Sequence, residues 1–197
     1  MRTNRSLRRL TALLAMLLGF SLSLAACGGS GGGGADSVVL NVGATTEPTG
    51  MDPATDTGAG TPFVLLYNVY ETLVRIDEKG EIKPLLARSW SASSDGSVYT
   101  FKLEPNATFA SGKPVNAAAV IASFERTRNG ESTTEVLKKQ MSRVKEMRAV
   151  DDHTVEVTLT ASSKRWLYDI TSTAGIVYDL SSGQNLSEQP AGSGPYV

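Results

Sequence analysis

Alternating apolar and polar residues predict three antiparallel β-hairpins in this chain. The clearest alternation is in residues 98–103, where Tyr99, Phe101 and Leu103 share one face and are expected in the core. Trp90, on the strand before it, is expected to be buried as well. The predicted pairs are 74–76 with the stretch around Ile82, 84–90 with 98–103, and 144–150 with 154–159.

Helical spacing of apolar residues predicts four helices between and after these hairpins. A helix over 61–73 is predicted to have Thr61 as its N-cap and Pro62 in its first turn, and its apolar stripe would be buried. A second helix is capped by Asn116 and stopped by Asn129-Gly130, a weaker one lies within 131–147, and a short one contains Trp166, Leu167 and Ile170. The stripe of the first helix consists of Phe63, Leu66, Tyr67, Tyr70 and Leu73.

Hairpins interspersed with helices favour an α+β fold over a strict β-α-β alternation. A first strand is predicted at 38–42, followed by a turn-rich passage that runs to Gly60. An irregular stretch of more than about fifteen residues inside a domain is typical of a functional loop or of a wrongly assigned element. A plain surface connection remains the alternative.

The N-terminus has the order of a secretory signal: four arginines, an apolar run over 10–24, then Ala25-Ala26. That run is shorter than the roughly 20 apolar residues that span a bilayer. Cys27, the only cysteine, follows directly, and Leu24-Ala25-Ala26-Cys27 resembles the lipobox of bacterial lipoproteins. The resemblance implies that Cys27 is lipidated and becomes the first residue of the mature chain. The alternative is a chance thiol after an ordinary signal.

Residues 27–37 have the glycine-rich composition of a flexible tether. Loss of the four signal arginines would leave 15 basic against 20 acidic residues, or about −5, which argues against a nucleic-acid partner. With one histidine, His153, in a predicted turn, the sequence offers no evident metal site, cofactor site or nucleophile–base pair. From these residues alone, the exported chain could still be a lipoprotein enzyme or a purely structural lipoprotein.

Several motifs recur in the same order in the peptide- and nickel-type (family 5) solute-binding proteins of ABC importers, and the chain resembles that family over nearly all residues beyond the tether. They are Asp52-Pro53, the segments 67–74, 84–90, 94–103 and 109–115, and Gly192-Ser193-Gly194-Pro195-Tyr196.

The resemblance implies a two-lobed, type II periplasmic-binding-protein-like fold, of which this chain would hold the first lobe and an accessory domain, truncated before the opposing lobe. The implied boundaries are a signal at 1–26, the tether at 27–37, the start of lobe I at 38–66, the accessory α+β domain at 67–160 and a return to lobe I at 161–197. Together with the lipobox at Cys27, it implies a lipid-anchored binding protein, not an enzyme, that works without a cofactor on the extracytoplasmic side of the membrane. There it would capture a peptide-like solute and deliver it to permease subunits.

The resemblance further implies that the loop after Asp52-Pro53 faces the ligand. In oligopeptide binders a glutamate of this loop pairs with the peptide amino terminus, and the corresponding residue here is Thr57, beside Gly58 and Ala59. Threonine cannot form the charge-assisted bond that a carboxylate forms with an ammonium group. Asp56 is only a substitute that is shifted by one position.

Overall fold

A computed structural model describes residues 42–196 of the chain. Its helices are α1 (Gly60–Leu65), α2 (Ala117–Asn129), α3 (Glu135–Met141) and α4 (Trp166–Asp169). Its strands are β1 (Glu71–Thr72), β2 (Val74–Ile76), β3 (Ile82–Pro84), β4 (Ala87–Ala92), β5 (Val98–Leu103), β6 (Val144–Asp151), β7 (Thr154–Leu159) and β8 (Ile176–Val177). Single 3₁₀ turns lie at Thr173–Gly175 and Leu180–Ser182.

An antiparallel four-stranded sheet in the order β4-β5-β7-β6 forms the centre of the fold. Within it, the hairpins β4–β5 and β6–β7 confirm two of the predicted pairs, and the separate β2–β3 hairpin confirms the third. The pairing of β5 with β7, which joins two hairpins across more than 50 residues of sequence, was not predicted; Phe101 lies opposite Val155 there. The result is the α+β architecture that the sequence predicts.

One face of the sheet carries the core. Tyr99, Phe101 and Leu103 are buried as predicted. The fully buried indole of Trp166, on α4, lies 5.2 Å from the Tyr99 ring and 6.2 Å from the Phe101 ring, measured between ring centroids. Trp90 is only half-buried, so its predicted place in the core is wrong. This ring packs against the edge of the core, because β4 is an outer strand of the sheet.

Helix α2 covers the sheet and begins as the sequence predicts. The Asn116 side-chain oxygen accepts a hydrogen bond from the Ala119 backbone N–H at 2.9 Å, which satisfies one of the free amides of the first turn. Val120 and Phe124 are fully buried, and the helix packs across β6, β7 and β8. The weaker helix predicted within 131–147 is α3, which leads into β6.

The helix predicted over 61–73 is wrong in length. It ends at Leu65, because Tyr67 adopts a positive φ of 65° and its backbone N–H bonds the Tyr70 carbonyl at 2.7 Å. Phe63 is consequently 75% exposed, whereas Tyr70 and Leu73 reach the core from a turn and from the β1–β2 region. The predicted buried stripe therefore mixes residues from three local structures.

Near both ends of the described range, at 42–59 and 192–196, the chain forms no strand. The predicted strand at 38–42 lies outside the described residues except for Val42, which is 80% exposed and outside any strand. Up to Tyr196, the segment that begins at Gly192 contains no assigned strand. It runs instead along 68–69, with backbone N–H groups of Gly194 and Tyr196 donating to the carbonyls of Val69 and Asn68.

Within the described range, residues from Gly43 onward form one compact unit. No helix among residues 42–196 is both long enough and apolar enough to cross a membrane. The division into lobe I and an accessory domain at residue 67 stays a prediction.

Candidate functional site

The candidate site is built around residues 52–59, here named the Asp-Pro loop. Asp52, only 3% exposed, shapes its start. The Asp52 carboxylate accepts a hydrogen bond from the Ala54 backbone N–H at 3.1 Å. The backbone carbonyl of Asp52 accepts bonds from the N–H groups of Thr55 and Asp56 at 3.1 and 3.0 Å. The Asp-Pro motif thus forms a side-chain-stabilised turn.

The same Asp52 carboxylate also ties the loop to α2. Its second oxygen pairs with the guanidinium of Arg126, and the two side chains are 5% and 21% exposed. The Arg126 guanidinium carbon lies 4.7 Å from the centroid of the Tyr178 ring, within the range of a cation–π contact. A buried aspartate that turns the loop is therefore neutralised by an arginine 74 residues later in the chain.

Two tyrosines complete this cluster. The Tyr70 and Tyr178 rings meet edge to face, with centroids 5.1 Å apart. Burial raises the pKa of Tyr70 to about 12, so its hydroxyl stays protonated and donates to the Met51 carbonyl at 3.2 Å. Burial, reinforced by the negative charge of Asp52, also raises the pKa of Tyr178. Met51, the residue that precedes the loop, is thereby held by the same cluster.

Asp56 closes the loop on itself. Its carboxylate accepts hydrogen bonds from the hydroxyls of Thr49 and Thr61 and from the Gly58 N–H, the last at 2.8 Å. Burial alone would raise the pKa of Asp56, but these bonds outweigh that effect and lower it. The sequence places Thr61 as a helix cap; in the structure the N-cap position of α1 is Ala59, and the Thr61 hydroxyl bonds Asp56 instead.

A third attachment links the loop to α3. The backbone N–H of Thr134, the N-cap residue of α3, donates to the Ala54 carbonyl at 2.9 Å. Gly58 is also constrained, because an added Cβ would lie 2.2 Å from the Thr49 hydroxyl oxygen. The loop is irregular in structure, yet it is bonded to α2, to α3 and across its own base.

The three predicted ligand-binding residues, Thr57, Gly58 and Ala59, lie together on the wall of one cavity of about 270 Å³. Thr57 and Ala59 are exposed and Gly58 is half-buried. The full lining is Pro53, Asp56, Thr57, Gly58, Ala59, Pro62, Thr134, Val136, Leu137 and Thr173. Cys27, the predicted lipid-attachment residue, lies outside the described residues.

Sequence reasoning missed Arg126 and Tyr178, which support the loop, and the α3 residues that face it across the cavity. Arg126 carries no local signal, since charged residues near the end of a helix are commonly solvated. His153 lies in the turn between β6 and β7, as predicted. Among residues 42–196, no three His, Cys, Asp or Glu side chains are grouped so that they could hold a metal ion.

Comparison with known sequences matches residues 81–197 to the family described as "Bacterial extracellular solute-binding proteins, family 5 Middle". The probable D,D-dipeptide-binding periplasmic protein DdpA of Escherichia coli is 31% identical over 81% of this chain and 33% of its own length. The glutathione-binding protein GsiB of Pectobacterium atrosepticum is 30% identical over 82% of this chain and 32% of its own. The chain thus spans about a third of the length of these relatives.

Solved structures share the fold. The Escherichia coli murein tripeptide binding protein MppA aligns with a TM-score of 0.68 at 26% identity, over 77% of this chain and 33% of that one. A nickel ABC transporter structure from Bacillus halodurans aligns with a TM-score of 0.65 at 30% identity, over 76% and 30%. The described residues therefore have the fold of part of a type II periplasmic binding protein. The family and these relatives are binding proteins, and this chain belongs to the bacterial extracellular solute-binding proteins of family 5.

Proposed function

We propose that this chain is the substrate-binding component of an ABC importer, which captures a peptide or similar small solute outside the membrane and delivers it to permease subunits. Membership of family 5 supports this, and so do the names of its relatives, which refer to D,D-dipeptides, glutathione and murein tripeptides. The task is binding without turnover, and it requires no cofactor.

The observation that carries the proposal is the fixed geometry of the Asp-Pro loop. Thr57 and Ala59 are exposed on a cavity wall, while Asp52, Arg126 and Asp56 hold the loop beneath them. A loop ordered before binding loses little conformational entropy when a ligand arrives, which raises affinity. Such an arrangement suits reversible capture of a solute.

Calorimetric titration of the full-length protein tests this proposal. Synthetic di- and tripeptides, glutathione and Ni²⁺ serve as probes, and we expect saturable binding of at least one peptide-like probe. Ala59→Arg, which fills the cavity, should weaken that binding by about tenfold or more, equivalent to about 1.4 kcal/mol. Ala92→Arg, at an exposed alanine of β4, is the matched control. Binding of Ni²⁺ alone, or no saturable binding, would contradict the proposal.

We further propose that Cys27 carries a lipid anchor that holds the protein on the extracytoplasmic face of the cell membrane. The thiolate is a far better acceptor for lipid transfer than a hydroxyl. Cys27→Ser should therefore abolish metabolic labelling with a fatty acid and release the protein from the membrane. Equal labelling of parent and variant would contradict the proposed lipid anchor but would leave the binding proposal unaffected.

The domain boundaries belong to the same proposal. Residues 38–66 and 161–197 would form part of one ligand-binding lobe, and 67–160 an accessory domain beside it. The contacts of the Asp-Pro loop with Arg126 and Thr134 would then join the two.

A further inference from the structure

The cavity beside the Asp-Pro loop has two apolar walls. Pro53, Ala59 and Pro62 line it from the loop and α1, and Val136 and Leu137 line it from the first turn of α3. Its volume of about 270 Å³ lies below the roughly 300–1,000 Å³ of a typical small-molecule pocket. A space of that size suits one group of a ligand better than a whole ligand.

Val136 is the unusual member of this wall. It is 68% exposed, whereas its neighbour Leu137 is 8% exposed and belongs to the core. Scattered exposed valines are common, but this one shares a concave surface with Thr57 and Ala59. A ligand that covered Val136 would remove apolar surface from water, which is favourable.

The charges around the cavity also favour an uncharged ligand group. Its ten lining residues include no lysine, arginine or histidine, so a ligand carboxylate would meet no cation there. Asp56 is the one acidic residue of the lining, and its carboxylate already accepts three hydrogen bonds from Thr49, Thr61 and Gly58. A carboxylate has about four acceptor sites. The remaining one can accept at most one hydrogen bond from a ligand ammonium group, and the negative charge repels an anion.

We infer that this cavity receives an uncharged, apolar group of the ligand, such as an aliphatic side chain, and that Val136 is the residue that determines this preference. The inference rests on the proposed function, because it names the part of a peptide-like ligand that the site selects. Anionic groups are rejected here, and an amino terminus is not anchored by the Asp-Pro loop.

Calorimetric titration with a scanning panel of tripeptides tests the inference. The parent peptide is Ala-Ala-Ala, and each of its positions is replaced in turn by leucine, glutamate or lysine. The full-length protein is used. At one position we expect the leucine peptide to bind about tenfold tighter than the glutamate peptide, and tighter than the lysine peptide. Val136→Asp should abolish this difference, whereas Val136→Leu should keep it.

Val136→Asp is suitable because Val136 is 68% exposed, so the new carboxylate can stay in contact with water. An unchanged melting temperature would confirm that the variant folds. Val150→Asp, at an exposed valine of β6, is the matched control and should leave the leucine preference intact.

Each result decides the question. Peptide binding without a leucine preference, or a preference that survives in Val136→Asp, would overturn this inference and leave the proposed function standing. Failure of every peptide to bind the parent protein would overturn the proposed function and this inference with it. A leucine preference lost only in Val136→Asp supports both.

Discussion

Replacement of Arg126 by methionine should destabilise the folded state strongly, because it would leave the carboxylate of Asp52 buried without its partner. The Asp52 side chain is 5% exposed and that of Arg126 is 21% exposed, so water cannot fully replace the guanidinium. Removing one member of a buried ion pair typically costs about 3–5 kcal/mol. Methionine keeps much of the volume against Tyr178 but loses the cation–π contact.

The partial exposure of Arg126 places the expected loss at the lower end of that range, at about 3 kcal/mol. For a domain of this size, that loss corresponds to a fall in melting temperature of about 6–12 °C. Urea unfolding followed by tryptophan fluorescence measures the free energy of unfolding, and calorimetry measures the melting temperature. Trp166 is fully buried and should report the transition.

Arg148→Met is the matched control. Arg148 pairs with Glu156 across β6 and β7 at 2.8 Å, and its side chain is 57% exposed. Exposed ion pairs contribute about 0–1 kcal/mol, so this variant should unfold almost as the parent does. If Arg126→Met unfolded within about 0.5 kcal/mol of Arg148→Met, the view that Arg126 neutralises a buried carboxylate would be refuted.

A double-mutant cycle isolates the pair itself. Asp52→Asn keeps the side-chain oxygen that accepts from the Ala54 N–H but removes the charge. The double variant with Arg126→Met should therefore lose less stability than the two single losses added together, by about 1–3 kcal/mol. Additive losses would mean that the two side chains stabilise the fold independently.

Three further predictions concern the core, the Asp-Pro loop and the C-terminal segment. Phe101→Ala should cost about 3–5 kcal/mol in urea unfolding, whereas Trp90→Ala should cost clearly less, since only the phenylalanine is fully buried. The hydrogen bonds that lower the pKa of Asp56 stabilise the fold fully above the ordinary pKa of 3.8, and this contribution is lost as the pH falls through the lowered pKa. Asp56→Asn should therefore make stability depend less on pH in this acid range. An unchanged dependence of stability on acid pH would contradict the role given to Asp56. Gly192→Ala should cost about 1–3 kcal/mol because its Cβ would lie 2.0 Å from the Val69 carbonyl oxygen, while Gly43→Ala, with nothing within 4 Å, should be neutral.

The sequence predicts the hairpins well because each depends on local information. Alternation fixes which side chains of β5 face the core, and the Asp-Gly turn fixes its pairing with β4. The pairing of β5 with β7 depends on contacts between residues about 50 positions apart, which no local pattern encodes. Hence the strands of the three hairpins were predictable, but the order of the four strands in the sheet was not.

The helix predicted over 61–73 shows how periodicity can mislead. Tyr70 and Leu73 are buried at helical spacing from Leu66, but they reach the core from a turn and from the β1–β2 region. The left-handed backbone of Tyr67 interrupts the helix, and a tyrosine gives no warning of it, since positive φ is uncommon outside glycine, asparagine and aspartate. Burial alone therefore does not identify the element that provides it.

The turn that begins the Asp-Pro loop was predictable from sequence, but the contacts that support the loop were not. Asp52-Pro53 marks a turn from sequence alone, yet the pairing of Asp52 with Arg126 exists only in the folded chain. Both carboxylates of the Asp-Pro loop maintain its conformation: Asp52 bonds α2 and its own turn, and Asp56 bonds the base of the loop. The family resemblance implies that Thr57 takes the position where oligopeptide binders carry a glutamate, and most of the bonding capacity of its acidic neighbour Asp56 is already used. That arrangement is the physical reason to expect a ligand group recognised by apolar contact with Val136 and Ala59 in place of a charge-assisted bond.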